Sequence, residues 1–248
     1  MKRIWPLATL GIVAFVAFGL ATLPAKVVLA RLGGYGVQAG GITGSVWRGT
    51  AQVLQVRGAN LGRVTWNLHA LPLFIGRLSV DLRATRSDGS VQASLSASPS
   101  RLRFADLNAS LPLSAFPPGT IPGGWVGTLV LRLDKLELAN GWPTTASGTV
   151  EVIDVTGPAN KPTNMGRYKV TFPSDPPPTV DGVVGALSDT GGPLEVSGTV
   201  HLKSDRTFLA DGLVKARPDA PSDVAQSIQL IASPDAEGRR PFSLENHM

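Results

Sequence analysis

The chain contains no cysteine, which excludes disulfide staples, thiol nucleophiles, zinc ribbons and iron–sulfur ligation. Histidine is scarce: His69, His201 and His247 are too few and too scattered for an imidazole metal site. Only 17% of the 248 residues are charged and 6% aromatic. No G-x-S-x-G, Walker A, H-E-x-x-H or dinucleotide fingerprint occurs. These absences argue against an enzyme, and no catalytic residue, metal or cofactor is expected. Turn formers are in excess instead, with 28 Gly and 20 Pro. Their combined share is well above the average of about 12%. Long helices tolerate this poorly, so the composition points to strands and turns.

Charge is unevenly placed. Residues 1–124 carry twelve Lys and Arg against three Asp and Glu, whereas residues 125–248 carry eleven against fifteen. Such asymmetry implies different neighbours for the two halves. Between Arg3 and Lys26 no residue is charged, and the interval from Ile4 to Ala25 is rich in Ile, Val, Leu, Ala and Phe. As a helix it reaches about 33 Å at 1.5 Å per residue, enough for a hydrocarbon core of about 30 Å. Ile12, Val13, Phe15, Val16, Phe18 and Leu20 form its centre. Lys2 and Arg3 keep the N-terminus cytoplasmic by the positive-inside rule and send the remainder outward. A cleaved signal peptide is the competing reading. Its apolar region is normally shorter, and Leu23-Pro24-Ala25 lacks the small residue expected three positions before a cut. The expected organisation is a cytoplasmic stub (1–3), a transmembrane helix (4–25), a tether (26–43) and a periplasmic β-domain (44–248). A boundary near residue 120 would divide that domain into 44–120 and 125–248.

Past the tether the hydropathy alternates with period 2. Leu78, Val80, Leu82 and Ala84 are followed across Ser87-Asp88-Gly89-Ser90 by Val91, Ala93, Leu95 and Ala97, a hairpin pattern. Val64, Trp66 and Leu68 share one face. Leu129, Leu131 and Leu133 occupy odd positions but Leu136 and Leu138 even ones, which places a β-bulge or strand break at Asp134-Lys135. Asn140-Gly141 and Ser204-Asp205 read as tight turns. The strands are apolar on one side only, the signature of antiparallel meanders with a solvated face. The fold expected is mostly β: a curved antiparallel sheet or meander, taco-like or sandwich-like, behind one transmembrane α-helix. A helix is expected at Ser222–Ala232 with Ser222 as its cap. Phe116–Gly124, Gly157–Thr163 and Phe172–Thr179 read as connectors.

Side chains with chemical potential have plainer readings. Asp134 and Glu137 read as solvated charges, and His69 and His201 as polar-face residues. Gly33-Gly34-Tyr35-Gly36 follows the apolar segment rather than a strand and reads as a flexible tether. The basic stretch Arg48–Arg103 lacks a basic helix and stacked aromatics, so no nucleic acid is expected. Anionic phospholipid headgroups, an acidic partner protein or plain solvent remain as its neighbours. Trp47 and Trp66 are expected on strands, filling the core. Trp125 and Trp142 flank loops and are candidate exposed anchors for a partner.

The order of motifs carries a resemblance. Gly44-Ser45-Val46-Trp47-Arg48-Gly49-Thr50-Ala51 precedes Val64-Thr65-Trp66-Asn67-Leu68, then Gly76-Arg77-Leu78, Leu107–Leu113, Gly127, Gly148-Thr149-Val150 and Gly166-Arg167-Tyr168. With the apolar N-terminus, this resembles the type II secretion system protein N family (general secretion pathway protein N) from about Arg3 to Phe242. The resemblance implies a single-pass inner-membrane protein without enzymatic activity. Such a protein would help export folded periplasmic proteins across the outer membrane beside other inner-membrane subunits of the machine. Gly44, Val46, Trp47, Gly49 and Trp66 carry its most specific part. The chain departs from the pattern after Val150, where Glu151-Val152-Ile153-Asp154 replaces an expected Trp. The pattern is also similar to periplasmic lipid-handling proteins of the AsmA kind, in which an apolar β-groove would hold an acyl chain. An open apolar face would favour that alternative, and a second covering layer would oppose it.

Placing Asp or Lys at Val13 or Phe15 puts a charge near the bilayer centre at a cost of about 2.5–3.5 kcal/mol. The expected outcome is loss of the chain from the membrane fraction of lysed cells; unchanged retention would refute the anchor.

Overall fold

The computed structural model describes residues 15, 18, 19, 22–70, 72, 73, 76–116, 124–157, 162–175 and 181–247. Its body is one curved antiparallel sheet. In chain order the strands are β1 (Val37–Gly40), β2 (Thr43–Gly44), β3 (Arg48–Val56), β4 (Ala59–His69), β5 (Leu78–Arg86), β6 (Gly89–Ser98) and β7 (Arg101–Pro112). They continue as β8 (Val126–Ala139), β9 (Trp142–Thr156), β10 (Asn164–Phe172), β11 (Val183–Gly191), β12 (Leu194–Leu202), β13 (Thr207–Ala216) and β14 (Arg240–His247). Every strand from β3 onward pairs with its sequence neighbours, while β1 and β2 both lie along β3. Beside the sheet lie the short helices α1 (Ala25–Arg31) and α2 (Ser222–Gln229). Among the described residues one sheet is present rather than two, so of the two shapes the sequence allowed they show the curved single sheet.

Short turns explain the meander. At Asn140-Gly141 both residues have positive φ (51° and 80°), the geometry that keeps a two-residue hairpin in step with strand twist. The β5–β6 hairpin lies where Asp-Gly signals it, but its turn is Ser87-Asp88, and Gly89 already pairs with Arg86. Arg86 closes that turn with two hydrogen bonds to the Asp88 carboxylate, at 2.7 and 2.9 Å.

The face switch expected at Asp134-Lys135 is a bulge within an unbroken β8. Leu133 pairs with Gly148 and Lys135 with Ser147, leaving Asp134 extra. A second bulge faces it on β7, where the register against β6 shifts around Asp106, whose φ is 51°. Between β7 and β8 the register runs through without interruption, so Asp106 and Asp134 lie opposite each other. Both strands therefore switch faces together, and their leucines stay on the apolar side.

That side holds two clusters. Ala93, Leu107, Leu133, Ala146, Phe172 and Val183 come from the six consecutive strands β6–β11. Leu194, Val196 and Val214 pack beneath Val224 of α2, with Ile228, Met165 and Tyr168 around them. Burial pushes the Tyr168 hydroxyl up to about 12. Nearby, Arg217 bonds Asp189 at 2.6 Å and the carbonyls of Gly192 and Leu194 at 2.7 and 3.0 Å, tying the β11–β12 turn to the end of β13.

Several expectations are corrected. Phe172 is no connector: it ends β10, pairs with Gly148 and is buried, its ring lying against Gly185. Ser222 is the first residue of α2 rather than its cap, and Pro221 takes the cap position with no side-chain hydrogen bond. The segment expected as a tether is ordered from Ala25 as α1, a 3-10 turn over Leu32–Tyr35, and β1, whose Val37 pairs with Val56. The apolar stretch does not continue as one helix to Ala25. Thr22 closes a helical turn on the Phe18 carbonyl at 3.0 Å, and Pro24 then pairs with Ser45 as an extended bridge. A residue before proline is driven out of the α region, which ends the helix there. Among the described residues no helix is long and apolar enough to cross a membrane. Ile12, Val13, Val16 and Leu20 lie outside the described residues, whereas Phe15 and Phe18 are described and exposed. Residues 117–123, 158–161 and 176–179 of the expected connectors also lie outside them.

Leu133→Ala is expected to lower unfolding free energy by about 2–5 kcal/mol. Arg132→Ala, one residue away on the solvated face, should change it by less than about 0.5 kcal/mol. Urea denaturation of the two variants checks the face assignment.

Candidate functional site: a clasp at the exit of the apolar segment

The residues Gly44–Gly49 fold into the connection between β2 and β3. Gly44 has φ +89°, and a Cβ there would lie 2.5 Å from the Arg48 carbonyl oxygen and 2.8 Å from Gly49 Cα. Only glycine fits both the conformation and the space. The turn is closed by Ser45 N–H donating to Arg48 O (2.9 Å) and Arg48 N–H donating to Ser45 Oγ (3.2 Å).

Val46 then works through its backbone on two sides. Its N–H donates to Leu23 O at 2.9 Å, joining the end of the apolar segment to the sheet. Its carbonyl accepts the indole N–H of Trp66 at 3.1 Å. Trp66 sits on β4 directly opposite Gly49 on β3. A Cβ on Gly49 would fall 2.8 Å from Trp66 Cε2 and closer still to Cζ2, so the indole lies flat on the glycine. Ala25 and Ala51 are 1% and 0% exposed, so small residues fill the space around the clasp. Gly44, Val46, Gly49 and Trp66 thus converge, and with them the chain leaving the apolar segment is held by hydrogen bonds. Leu23 and Pro24 are the participants that sequence reasoning missed; the extended bias of a residue before proline was the available signal.

The other tryptophans are placed differently from expectation. Trp47 lies in the bend before β3, half-buried, and its carbonyl accepts the Leu68 N–H at 2.6 Å. It is not among the buried core residues. Trp142 is not a free anchor: its indole N–H donates to Lys203 O at 2.7 Å, joining the β8–β9 and β12–β13 turns 61 residues apart. Arg206 adds a bond to Asn140 O at 3.2 Å. Trp125 is half-buried and walls a cavity of about 320 Å³ with Met165, Val224 and Ile228.

His69, Asp81 and Ser94 meet on the polar face, yet in an order unsuited to nucleophilic catalysis. Ser94 Oγ donates to Asp81 Oδ1 (2.7 Å), and His69 Nε2 lies 2.8 Å from Asp81 Oδ2. The carboxylate stands between hydroxyl and imidazole, so no ring nitrogen is placed to take the Ser94 proton. The hydrogen bonds from Ser94 and then His69 hold Asp81 below the ordinary carboxylate range. Asp134 and Glu137 form no carboxylate pair. Asp134 is the exposed bulge residue, while Glu137 bonds Arg103 at 2.9 Å and Lys135 at 3.0 Å. Burial pushes the Glu137 carboxyl up, and the two cations outweigh it and hold it below its usual value. His201 is a half-buried residue of β12. Among the described residues no group of three or more His, Asp or Glu is arranged to hold a metal ion.

A one-sheet meander clasping the exit of an apolar N-terminal segment through its own backbone makes this a single-layer β-protein. The comparison with known sequences is specific. The chain belongs to the family described as type II secretion system (T2SS), protein N, which it matches over residues 35–243. It is 26% identical to type II secretion system protein N of Aeromonas hydrophila over 256 residues, covering 100% of both chains. To type II secretion system protein N of Vibrio cholerae serotype O1 it is 25% identical over 241 residues, 91% of each. No solved structure matches it. The matched span contains the clasp residues of β2, β3 and β4.

Gly49→Ala is expected to displace the indole and cost about 1–3 kcal/mol. Trp66→Phe keeps a ring on the glycine but removes the donor to Val46 O, for about 0.5–1.5 kcal/mol. Chemical denaturation measures both; a Gly49→Ala protein as stable as its parent would show that the indole does not rest there.

Proposed function

We propose that this chain is a non-enzymatic component of a type II secretion system. An N-terminal helix anchors it in the inner membrane with the N-terminus cytoplasmic. Its periplasmic sheet docks other inner-membrane subunits of the machine, and so takes part in exporting folded periplasmic proteins across the outer membrane. The observation that carries this reading is the family match over residues 35–243 together with two full-length or nearly full-length relatives of that name. The absence of cysteine and the scarcity of histidine in the sequence support a role without chemistry, and the charge-free interval Ile4–Ala25 supports the anchor. The surface best suited to docking subunits lies where β8 begins and α2 ends. Val126, Leu230 and Ile231 are 58%, 88% and 47% exposed there, next to the cavity walled by Trp125.

One observation favours a second reading. Among the described residues no second sheet covers the apolar face, as an acyl-chain groove of the AsmA-like kind would require. A photoreactive residue at Leu230 in intact cells, compared with one at Val150 on the apolar face, separates the two. Adducts of Leu230 with other secretion subunits, abolished by Val126→Glu together with reduced secretion, are expected. Lipid adducts at Val150 without protein adducts at Leu230 would replace the docking role with lipid handling.

A further inference from the structure

We propose that one rim of the sheet, centred on Arg77 and Arg101, lies on anionic phospholipid headgroups and stands the sheet upright on the bilayer. The inference rests on the reading that the residues before Leu23 anchor the chain. In an antiparallel meander alternate turns share one end, and the clasp identifies which end faces the anchor. Leu23 and Pro24 are bonded to Val46 and Ser45, so no free spacer separates the apolar segment from the sheet. At that same end lie the β4–β5 connection ending at Arg77, the β6–β7 turn at Pro99-Ser100, the β8–β9 turn at Asn140-Gly141 and the β12–β13 turn at Ser204–Arg206.

The rim is chemically suited to phosphodiesters. Arg77, Ser96, Ser98, Arg101, Arg103 and Glu137 line an open depression of about 240 Å³. Arg77, Arg101 and Arg103 are exposed. Glu137, its one acid, is already bonded to Arg103 and Lys135. Among the described residues no carboxylate lies within ion-pair distance of Arg77 or Arg101. Other acids of this end lie on later strands, away from Arg77 and Arg101: Asp181 accepts from Ser204 Oγ at 2.7 Å, Asp205 accepts the Thr207 N–H at 2.9 Å, and Asp175 and Glu245 are exposed on the β10–β11 connection and near the end of β14. Planar guanidiniums beside serine hydroxyls match the oxygens of a phosphate ester. Basic groups held at a membrane surface gain from its negative potential within a Debye length. An acidic protein would find the same charges, but the clasp holds this rim beside the membrane exit, which favours the bilayer.

The chain's lack of cysteine permits a direct test. Ser100→Cys and Asp219→Cys place one fluorophore on this rim or on the opposite one, in the full chain reconstituted into vesicles carrying a headgroup nitroxide. In mixed phosphatidylglycerol–phosphatidylcholine vesicles the Ser100 label should be quenched and the Asp219 label spared. In pure phosphatidylcholine, in high salt, or in Arg77→Gln/Arg101→Gln protein, the excess quenching should be lost, with the thermal melt of the double variant unchanged. Equal quenching of both labels in chain that stays with the vesicles overturns the orientation alone. Chain that leaves the vesicle pellet overturns the anchor, and the tethered reading with it. Quenching identical in neutral and anionic vesicles overturns headgroup recognition. Competition by inorganic phosphate beyond that of chloride at matched ionic strength assigns the depression to a free anion and overturns the bilayer. Binding of poly-glutamate through Arg77 and Arg101, with no quenching on vesicles, assigns it to an acidic protein and does the same.

Discussion

The backbone ladder running from β1 to β14 is the interaction on which every other feature depends. A one-layer sheet cannot bury its apolar face against a partner layer, so it must use curvature, small residues and its own helix. The burial pattern has that form. The core residues are chiefly Ala, Val and Leu, and among the described residues no large side chain is fully enclosed. Where an aromatic ring is needed it lies across a glycine on the neighbouring strand, Trp66 on Gly49 and Phe172 on Gly185. A ring laid flat covers the apolar strand surface that a second sheet would otherwise cover, and glycine supplies the close approach.

Strand length imposes a second requirement. A 12- or 14-residue strand in a strongly curved sheet accumulates twist, and bulges relieve it. β7 and β8 carry theirs opposite each other at Asp106 and Asp134, so the ladder between the two strands is undisturbed and the mismatch appears only toward β6 and β9. A bulge on one strand alone would have turned half of its leucines toward water. The paired arrangement preserves one continuous apolar stripe from Ala93 to Val183.

Local features were legible in the sequence, and distant ones were not. Period-2 alternation located the strands, the parity change among Leu129–Leu138 located the Asp134 bulge, and Asn140-Gly141 located a turn, because each depends on neighbours within a few positions. The Asp106 bulge carries the same sign, Leu102 and Phe104 on even positions before Leu107, Ala109 and Leu111 on odd ones, but the apolar Ala105 between them blurs it. Trp142 departs from expectation for a different reason. Its loop-flanking position suggests exposure, but its partner is a carbonyl 61 residues away that only curvature brings near. The clasp was half legible: Gly44, Val46, Gly49 and Trp66 stood out as a motif, while Leu23 and Pro24 were absorbed into the apolar run. Hydropathy reports where a segment is greasy, not where its helix stops.

The clasp also explains why its residues are of these types. Val46 contributes both backbone groups, so its side chain is not the recognising element, whereas Gly44 must reach a left-handed conformation and Gly49 must admit an indole. Leu23 offers its carbonyl because Pro24 holds it extended, and that carbonyl would otherwise be one of the unsatisfied acceptors at a helix end. The junction between apolar segment and sheet is therefore bonded on both sides rather than hinged. These contacts mark the rim of the meander that carries Leu23 and Pro24, and α2 with the exposed Leu230 lies at the other. The two ends therefore differ in the side chains they expose, Arg77 and Arg101 at one and Leu230 and Ile231 at the other.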